Sequence, residues 1–260
     1  MTSFNVGIGR SAGRFITTGI QNTIIGGEAG DALTDADDNV AVGYHALSSD
    51  TLGSRAVAMG RGALFTQNFT TATANYNVGI GYFAGVAVTT GQQNTLVGGL
   101  AGDALTDGQI NTALGYAALS ADTRGQRAVA IGGLALTSQN ITTESESYNV
   151  GVGYAAGTSV TTGVQNTIIG GLAGDFLSDA DANTAVGFGS LSADSLGSQS
   201  VAIGYLTLLS QNFTTATDSF NVAVGSQAGR NVTTGIRNAI VGSLAGDALQ
   251  DADFNTVLGF

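Results

Sequence analysis

The stretch Asn5-Val6-Gly7-Ile8-Gly9 recurs, as Asn-x-x-aliphatic-Gly, fifteen times in a chain of 260 residues. We number the first residue of each copy as position 0; Asn occupies it in twelve copies, and position 4 is always Gly. The copies begin at Asn5, Asn22, Asn39, Ala56, Asn77, Asn94, Asn111, Ala128, Asn149, Asn166, Asn183, Ser200, Asn221, Asn238 and Asn255. Such self-similarity predicts a solenoid, in which each turn of the chain buries its apolar side against its neighbours.

The spacing of the copies contains a second, longer period. Consecutive copies are 17, 17, 17 and then 21 residues apart, so the whole pattern repeats every 72 residues. We call each 72-residue unit a superperiod of four turns. The sequence therefore predicts a single β-solenoid over residues 1–260, with superperiods 5–76, 77–148 and 149–220 and an incomplete one at 221–260.

The motif alternates with the period of a β-strand rather than that of a helix. Position 1 is Val or Thr in every copy except Ala239, and position 3 is aliphatic or Met, so we expect positions 1 and 3 to face a narrow core. The Gly at position 4 indicates a positive φ or a close backbone approach at a turn. Seventeen residues leave room for two short strands and two turns. The predicted fold is all-β, a parallel β-solenoid of the flattened β-roll type.

Other positions predict how the interior is filled. Position 7 is Ala in twelve of fourteen copies, which suits two closely spaced layers. Position 8 reads Gly, Gly, Leu, Leu within a superperiod, and the first two turns compensate with an aliphatic residue at position 11, as Leu33 does beside Gly30. The Asn side chains at position 0 are predicted to stack as a hydrogen-bonded ladder.

Composition and charge exclude several classes of function. The net charge is −11, and the eight basic residues are scattered arginines, so the chain would repel nucleic-acid phosphates. No apolar run approaches the roughly 20 residues of a membrane span, which predicts no membrane insertion. There is no Cys to form a disulfide framework, and Met1-Thr2-Ser3-Phe4 lacks the features of a secretory signal.

The residues needed for catalysis are scarce. His45 is the only His, and no Ser or Asp has a His partner for a triad. The glycines are turn glycines rather than parts of a nucleotide-binding loop. We therefore predict a protein that is not an enzyme and has no catalytic or cofactor-binding residues. Paired carboxylates in the aspartate-rich turns are the remaining route to catalysis.

Aspartates cluster after the second turn of each superperiod. Alternating carboxylates on a turn are potential calcium ligands. Solvated Asx-turns explain the same residues, and the Asp-x-Asp pair is lost in the second superperiod. The calcium candidates are Asp35, Asp37, Asp179, Asp181, Asp251 and Asp253.

The fourth turn carries four extra residues, which should protrude from one edge. Such insertions are often a binding face of a solenoid, although a tolerated bulge is the alternative. Asn-x-Thr sequons lie in these insertions and at one further site, and they are glycosylation candidates unless repeat ancestry explains them. The candidates are Asn68, Asn140, Asn212 and Asn231.

Aromatic residues recur at position 5, directly after the turn Gly. Position 6 is often apolar too, and both cannot point into one narrow core, so one of them should form an exposed stripe. Association between identical chains and stacking of sugars are the two interpretations. The stripe consists of Tyr44, Tyr82, Tyr116, Tyr154, Phe188 and Tyr205.

Two strings within the repeat resemble known surface proteins. Gln199-Ser200-Val201-Ala202-Ile203-Gly204 resembles the repeats of YadA-like trimeric autotransporter heads, and Asn39-Val40-Ala41-Val42-Gly43-Tyr44-His45-Ala46-Leu47 resembles the arrays of phage tail fibres. The resemblance covers the whole chain. It implies a left-handed parallel β-roll that associates as a homotrimer.

The resemblance also implies a function. We expect a non-enzymatic fibrous protein that attaches to a host or surface, located outside the cell, on the cell surface or on a virion. Its partners would be itself and a surface receptor or glycan. The alternatives are a filament of chains stacked end to end and a glycan- or calcium-binding module.

Overall fold

The computed structural model describes residues 3–260, and within this range it contains strands and no helix. Fifteen strands have three residues each and coincide with positions 1 to 3 of the repeat. They are β1 (Val6–Ile8), β2 (Thr23–Ile25), β3 (Val40–Val42), β5 (Val57–Met59), β7 (Val78–Ile80), β8 (Thr95–Val97), β9 (Thr112–Leu114), β11 (Val129–Ile131), β13 (Val150–Val152), β14 (Thr167–Ile169), β15 (Thr184–Val186), β17 (Val201–Ile203), β19 (Val222–Val224), β20 (Ala239–Val241) and β21 (Thr256–Leu258). Six two-residue strands are β4 (Gly53–Ser54), β6 (Thr73–Ala74), β10 (Gly125–Gln126), β12 (Ser145–Glu146), β16 (Gly197–Ser198) and β18 (Thr217–Asp218).

The three-residue strands pair in parallel and in register. In the pair β1–β2, for example, Gly7 lies beside Ile24, so equal positions of successive turns are neighbours. The chain is a parallel β-solenoid of about 15 turns, spaced about 17 residues apart. This confirms the predicted fold class.

The turns group into two compact units. The first unit contains the residues up to Arg127 together with Thr142–Ser145, and its long strands follow the order β1-β2-β3-β5-β7-β8-β9. The second unit contains Ala128–Ile141 together with Glu146–Phe260, with the order β11-β13-β14-β15-β17-β19-β20-β21. Both units are built from the same repeated turn.

A second strand forms only on the return side of the third and fourth turns of a superperiod. Within the first unit β4 pairs with β6, and within the second unit β16 pairs with β18. The expectation of two strands in every turn is therefore wrong for the first and second turns. Their return segments, such as Thr17-Thr18-Gly19, contain residues that favour bends, although Thr17 still donates a 2.9 Å backbone bond to Thr34.

The prediction that positions 1 and 3 face the core is wrong. The middle residue of each long strand is the buried one: Ile24, Leu96 and Ile168 are at most 1% exposed, whereas the residues on either side are half-buried or exposed. Position 2 is also apolar or Gly, so the period of 2 predicted a strand without revealing which face is inside. A choice of the wrong face reverses every side chain of the strand.

The interior is filled as predicted. The Ala residues at position 7 are buried, and the Leu residues at position 8 are completely inaccessible. Where position 8 is Gly30, a Cβ placed there would lie 2.9 Å from Cδ1 of Leu33, so the side chain at position 11 occupies the vacated space. This compensation keeps the packing dense in turns of different sequence.

The position 0 Asn side chains join successive turns, but mainly through the backbone. The Asn94 backbone N–H donates to Oδ1 of Asn77 at 2.9 Å, and Asn94 Nδ2 donates to the carbonyl of Gly108 at 2.8 Å. Direct bonds between stacked amides are present in only a few turns, such as Asn255 Nδ2 to Asn238 Oδ1 at 3.0 Å. Each buried Asn therefore ties its own turn closed and also caps the next one.

Candidate interaction surface

The side chains at positions 1 and 3 form an uncovered apolar face in each unit, which we call the outer sheet face. Parallel sheets normally have both faces covered, because both are apolar. Here the interior covers one face, while the other presents Val, Ile, Leu, Met and Thr to solvent. The exposed large side chains are Val6, Ile8, Met59 and Leu114 in the first unit and Ile169, Ile203, Val222, Val241 and Leu258 in the second.

The predicted aromatic stripe at position 5 is exposed. Its members, from Tyr44 to Tyr205, are between 50% and 63% accessible, so position 5 rather than position 6 projects outward. Within the second unit the rings of Phe188 and Tyr205 stack at 5.9 Å. The stripe follows the strands along the chain and borders the outer sheet face on one side.

A second aromatic row borders the other side of the outer sheet face and was missed by the sequence reasoning. It lies at position −1, directly before the strand, and its first-turn members recur at the 72-residue spacing. That spacing was the signal that could have identified them. The first-turn members are Phe4, Tyr76, Tyr148 and Phe220, all exposed.

Arginines contact the rings of this second row. Arg55 donates from Nη1 to the Tyr76 hydroxyl at 2.8 Å and lies 3.7 Å from the Asp38 carboxylate. In the second unit the Arg237 guanidinium lies 5.8 Å from the Phe220 ring centre and 5.3 Å from that of Phe254. These cation–π contacts orient the long side chains at the border of the outer sheet face.

The calcium candidates serve as hydrogen-bond acceptors between turns. Asp37 Oδ1 accepts the backbone N–H of Ile20 at 2.8 Å, and Asp181 Oδ1 accepts that of Val164 at the same distance. Asp253 repeats this bond with Ile236.

The remaining candidates were also assigned to these turns. Asp35 and Asp179 accept from the hydroxyls of Thr18 and Thr162, and Asp251 is exposed. Across residues 3–260, no three or more His, Cys, Asp or Glu side chains come close enough to hold a metal ion. Calcium binding therefore stays a prediction.

The insertions are anchored at one residue and exposed beyond it. Phe69, Ile141 and Phe213 are buried, whereas the segments 70–72, 142–144 and 214–216 are exposed. Of the sequon residues, Asn212 and Asn231 are exposed, and Asn68 and Asn140 are half-buried. Asn68 Oδ1 accepts from Thr51 Oγ1 at 3.1 Å, and Asn231 Nδ2 donates to the Asp247 carbonyl at 2.7 Å.

A buried polar cluster lies where the third and fourth turns meet the insertion. Gln67 donates from Nε2 to Asp50 Oδ2 at 2.6 Å, and its Oε1 accepts from Asn77 Nδ2 at 2.9 Å. Burial raises the pKa of the Asp50 carboxyl, while the bonds from Gln67 and the Phe69 N–H oppose that rise. The sequence signal was the polar residue at position 11 of these turns; in the second unit Gln211 contacts Asp194 in the same way.

Comparison with known proteins yields no relative: no family model, curated protein or solved structure matches this chain. The resemblance to trimeric autotransporter heads and tail fibres therefore stays a prediction. The described residues also contain no helix with the length and apolarity needed to cross a membrane.

Proposed function

We propose that this chain is a non-enzymatic structural protein of the fibre type, whose copies associate through their outer sheet faces and attach the assembly to a surface. The observation that carries the proposal is the outer sheet face itself. An exposed apolar face of this extent, bordered by aromatic side chains, is typical of an interaction site.

Identical chains are the partners that this face fits best. Its side chains repeat at nearly constant intervals along each unit, so another copy offers a surface with the same spacing. The face itself carries Val, Ile, Leu, Met and Thr rather than charge, while the chain as a whole has a net charge of −11. Association there buries apolar area without placing like charges opposite each other.

Attachment would use the surfaces that vary within the repeat. The exposed insertion tips and the position 5 aromatic stripe present hydroxyl groups and rings, which suit a surface receptor or glycan. This function requires an extracellular, cell-surface or virion location and no cofactor. The six calcium candidates, if they bound the ion, would stiffen the turns that contain them.

Sedimentation velocity and native mass spectrometry test the association. We expect a discrete oligomer, a trimer of the 25.9 kDa chain by analogy with the resembling families. Arg at Ile80 and Ile203, one position 3 residue in each unit, should release monomers because it places charge in an apolar contact. The control carries Arg at Thr71 and Thr215, which lie at the insertion tips, and should keep the native mass.

The alternatives give different masses. A stable native monomer at micromolar concentration would contradict the proposal. An open-ended series of masses would favour the end-to-end filament instead. A glycan array probed with the native oligomer tests attachment, and binding that survives removal of the aromatic rings at Tyr116 and Tyr154 would argue against the stripe as the contact.

A further inference from the structure

A groove of about 290 Å³ opens on the first unit next to the ring of Phe83. It exists because position 6 of the fourth turn is Gly62, whereas the corresponding turns of the later superperiods carry Leu134 and Leu206. The groove therefore belongs to one superperiod and is not a general feature of the repeat.

The groove walls are mainly aromatic and aliphatic. Tyr44, Phe65, Phe83 and Val86 line it, and the His45 ring meets the Phe65 ring edge-on at 5.5 Å between centres. A sugar ring would bring several hydroxyls that these walls cannot match with hydrogen bonds. An apolar or aromatic ring suits them better.

One cation stands at the groove without an acidic partner. The Arg61 guanidinium lies 5.9 Å from the ring centres of Tyr44 and Tyr82 and 5.8 Å from that of Phe83. Within residues 3–260, no carboxylate lies within the 4.0 Å of an ion pair with Arg61. In a chain with a net charge of −11, an arginine held by three rings and left unpaired is available for an external anion.

His45 adds an unsatisfied polar atom to the wall. Its Nε2 lies 3.2 Å from Oε2 of Glu28, while Nδ1 is buried without a hydrogen-bond partner in the described part of the chain. Buried polar atoms are rarely left without a partner, and such an exception in a groove wall is consistent with a ligand contact.

We propose that this groove binds a small carboxylate that carries one apolar ring, an aryl carboxylate. The carboxylate pairs with Arg61, and the ring packs against Phe65 and Phe83. The volume lies at the small end of ligand pockets, which limits the ligand to about one ring and its substituent. All lining residues belong to one chain, so this site is separate from the proposed association of chains.

Titration with benzoate, followed by ligand-observed NMR, tests the site on the full chain. We expect saturable binding with a Kd on the order of 1 mM, as for a small fragment. Benzamide, which keeps the ring and loses the charge, should bind at least tenfold more weakly. Absence of saturation by benzoate, equal binding of benzamide, or tighter binding of glucuronate than of benzoate would each overturn the proposal.

Variants taken from the chain itself locate the binding. Replacing His45 with Ala, Gly62 with Leu and Phe83 with Ala reproduces the position 6 column of the second superperiod, Ala117, Leu134 and Ala155. Leu134 has φ 61° and Gly62 has φ 64°, so the backbone accepts Leu there. This variant should fold and lose benzoate binding; unchanged binding would overturn the proposal.

A second variant separates charge from shape. Arg61→Gln should weaken benzoate binding at least tenfold and leave benzamide binding unchanged, because only the carboxylate contact is lost. Tyr154→Gln, which changes the same aromatic stripe outside the groove, is the matched control and should bind benzoate as the native chain does. Equal loss in both variants would contradict the assignment to Arg61.

Discussion

At the scale of single residues, backbone conformation explains why only one position of the repeat is always Gly. Positions −1, 6 and 8 are left-handed, and they accept bulky residues, as at Tyr76 (φ 55°), Leu100 (φ 59°) and Leu47 (φ 53°). Position 4 has φ near 135°, outside the left-handed helical region. There an added Cβ would also meet the backbone of the next turn, 2.5 Å from the Gly26 oxygen at Gly9. Both constraints require Gly.

Adjacent glycines allow a direct test of this difference. Gly98→Ala should lower the free energy of unfolding by about 3 kcal/mol, because the Cβ would lie 2.6 Å from the Gly115 carbonyl carbon at φ 134°. Gly99→Ala should be nearly neutral, since its nearest neighbour is Tyr116 Cδ2 at 3.7 Å. Urea unfolding followed by circular dichroism compares the two. Similar midpoints would contradict the role given to position 4.

At the scale of elements, the polar cluster of Asp50, Gln67 and Asn77 connects the third turn, the fourth turn and the next superperiod. Asp50 Oδ1 also accepts the backbone N–H groups of Gly53 and Phe69, each at 3.0 Å. A polar cluster in an apolar interior is favourable only when its donors and acceptors match. This explains why position 11 is polar in just the turns that lead into an insertion.

Exchanging the charge within this cluster tests the matching. Asp50→Asn places its Nδ2 against the Gln67 amide nitrogen, and Gln67→Glu places a carboxylate against Asp50; each should cost about 1–3 kcal/mol. The double variant restores a donor–acceptor pair and leaves the Asn77 bond to residue 67 intact. We expect it to be more stable than either single variant. Urea midpoints of all four proteins measure the coupling, and additive losses would refute it.

At the scale of the whole molecule, the acidic groups determine how stability depends on pH. Burial is the largest cause that raises the pKa of Asp31, Asp50, Asp103 and Asp175 above 3.8. In Asp103 and Asp175 one carboxylate oxygen is buried without a partner among the described residues. A raised folded-state pKa means that the folded chain binds more protons than the unfolded chain between 3.8 and that pKa.

Stability should therefore rise as pH falls from neutral towards about 4. Below 3.8 the gain stops, and stability contributed by Asp107 is lost as that residue protonates, because the hydrogen bonds and charge of Arg124 lower its pKa. Thermal unfolding between pH 7.5 and 3 should show this maximum. Asp103→Asn should reduce the dependence on pH, whereas the exposed Asp218→Asn controls for net charge. A Tm that falls steadily from neutral pH would contradict the prediction.

Much of the fold follows from the sequence because the repeat is local. The 17-residue spacing, the Gly at position 4 and the compensation between Gly30 and Leu33 act between neighbouring turns, so they can be read along the chain. The position 5 stripe was predictable for the same reason, since two adjacent apolar side chains cannot both enter one narrow interior. The position −1 row was also present in the 72-residue spacing and was overlooked.

The tertiary structure alone decided which side of the strands is inside. Residues at positions 1, 2 and 3 are all apolar, so alternation left two choices, and packing against the position 7 and position 8 side chains selected position 2. The groove beside Gly62 and the cluster around Gln67 likewise depend on side chains that meet across turns. Local pattern thus determined the repeated turn, while contacts between turns decided which surface remains free to bind.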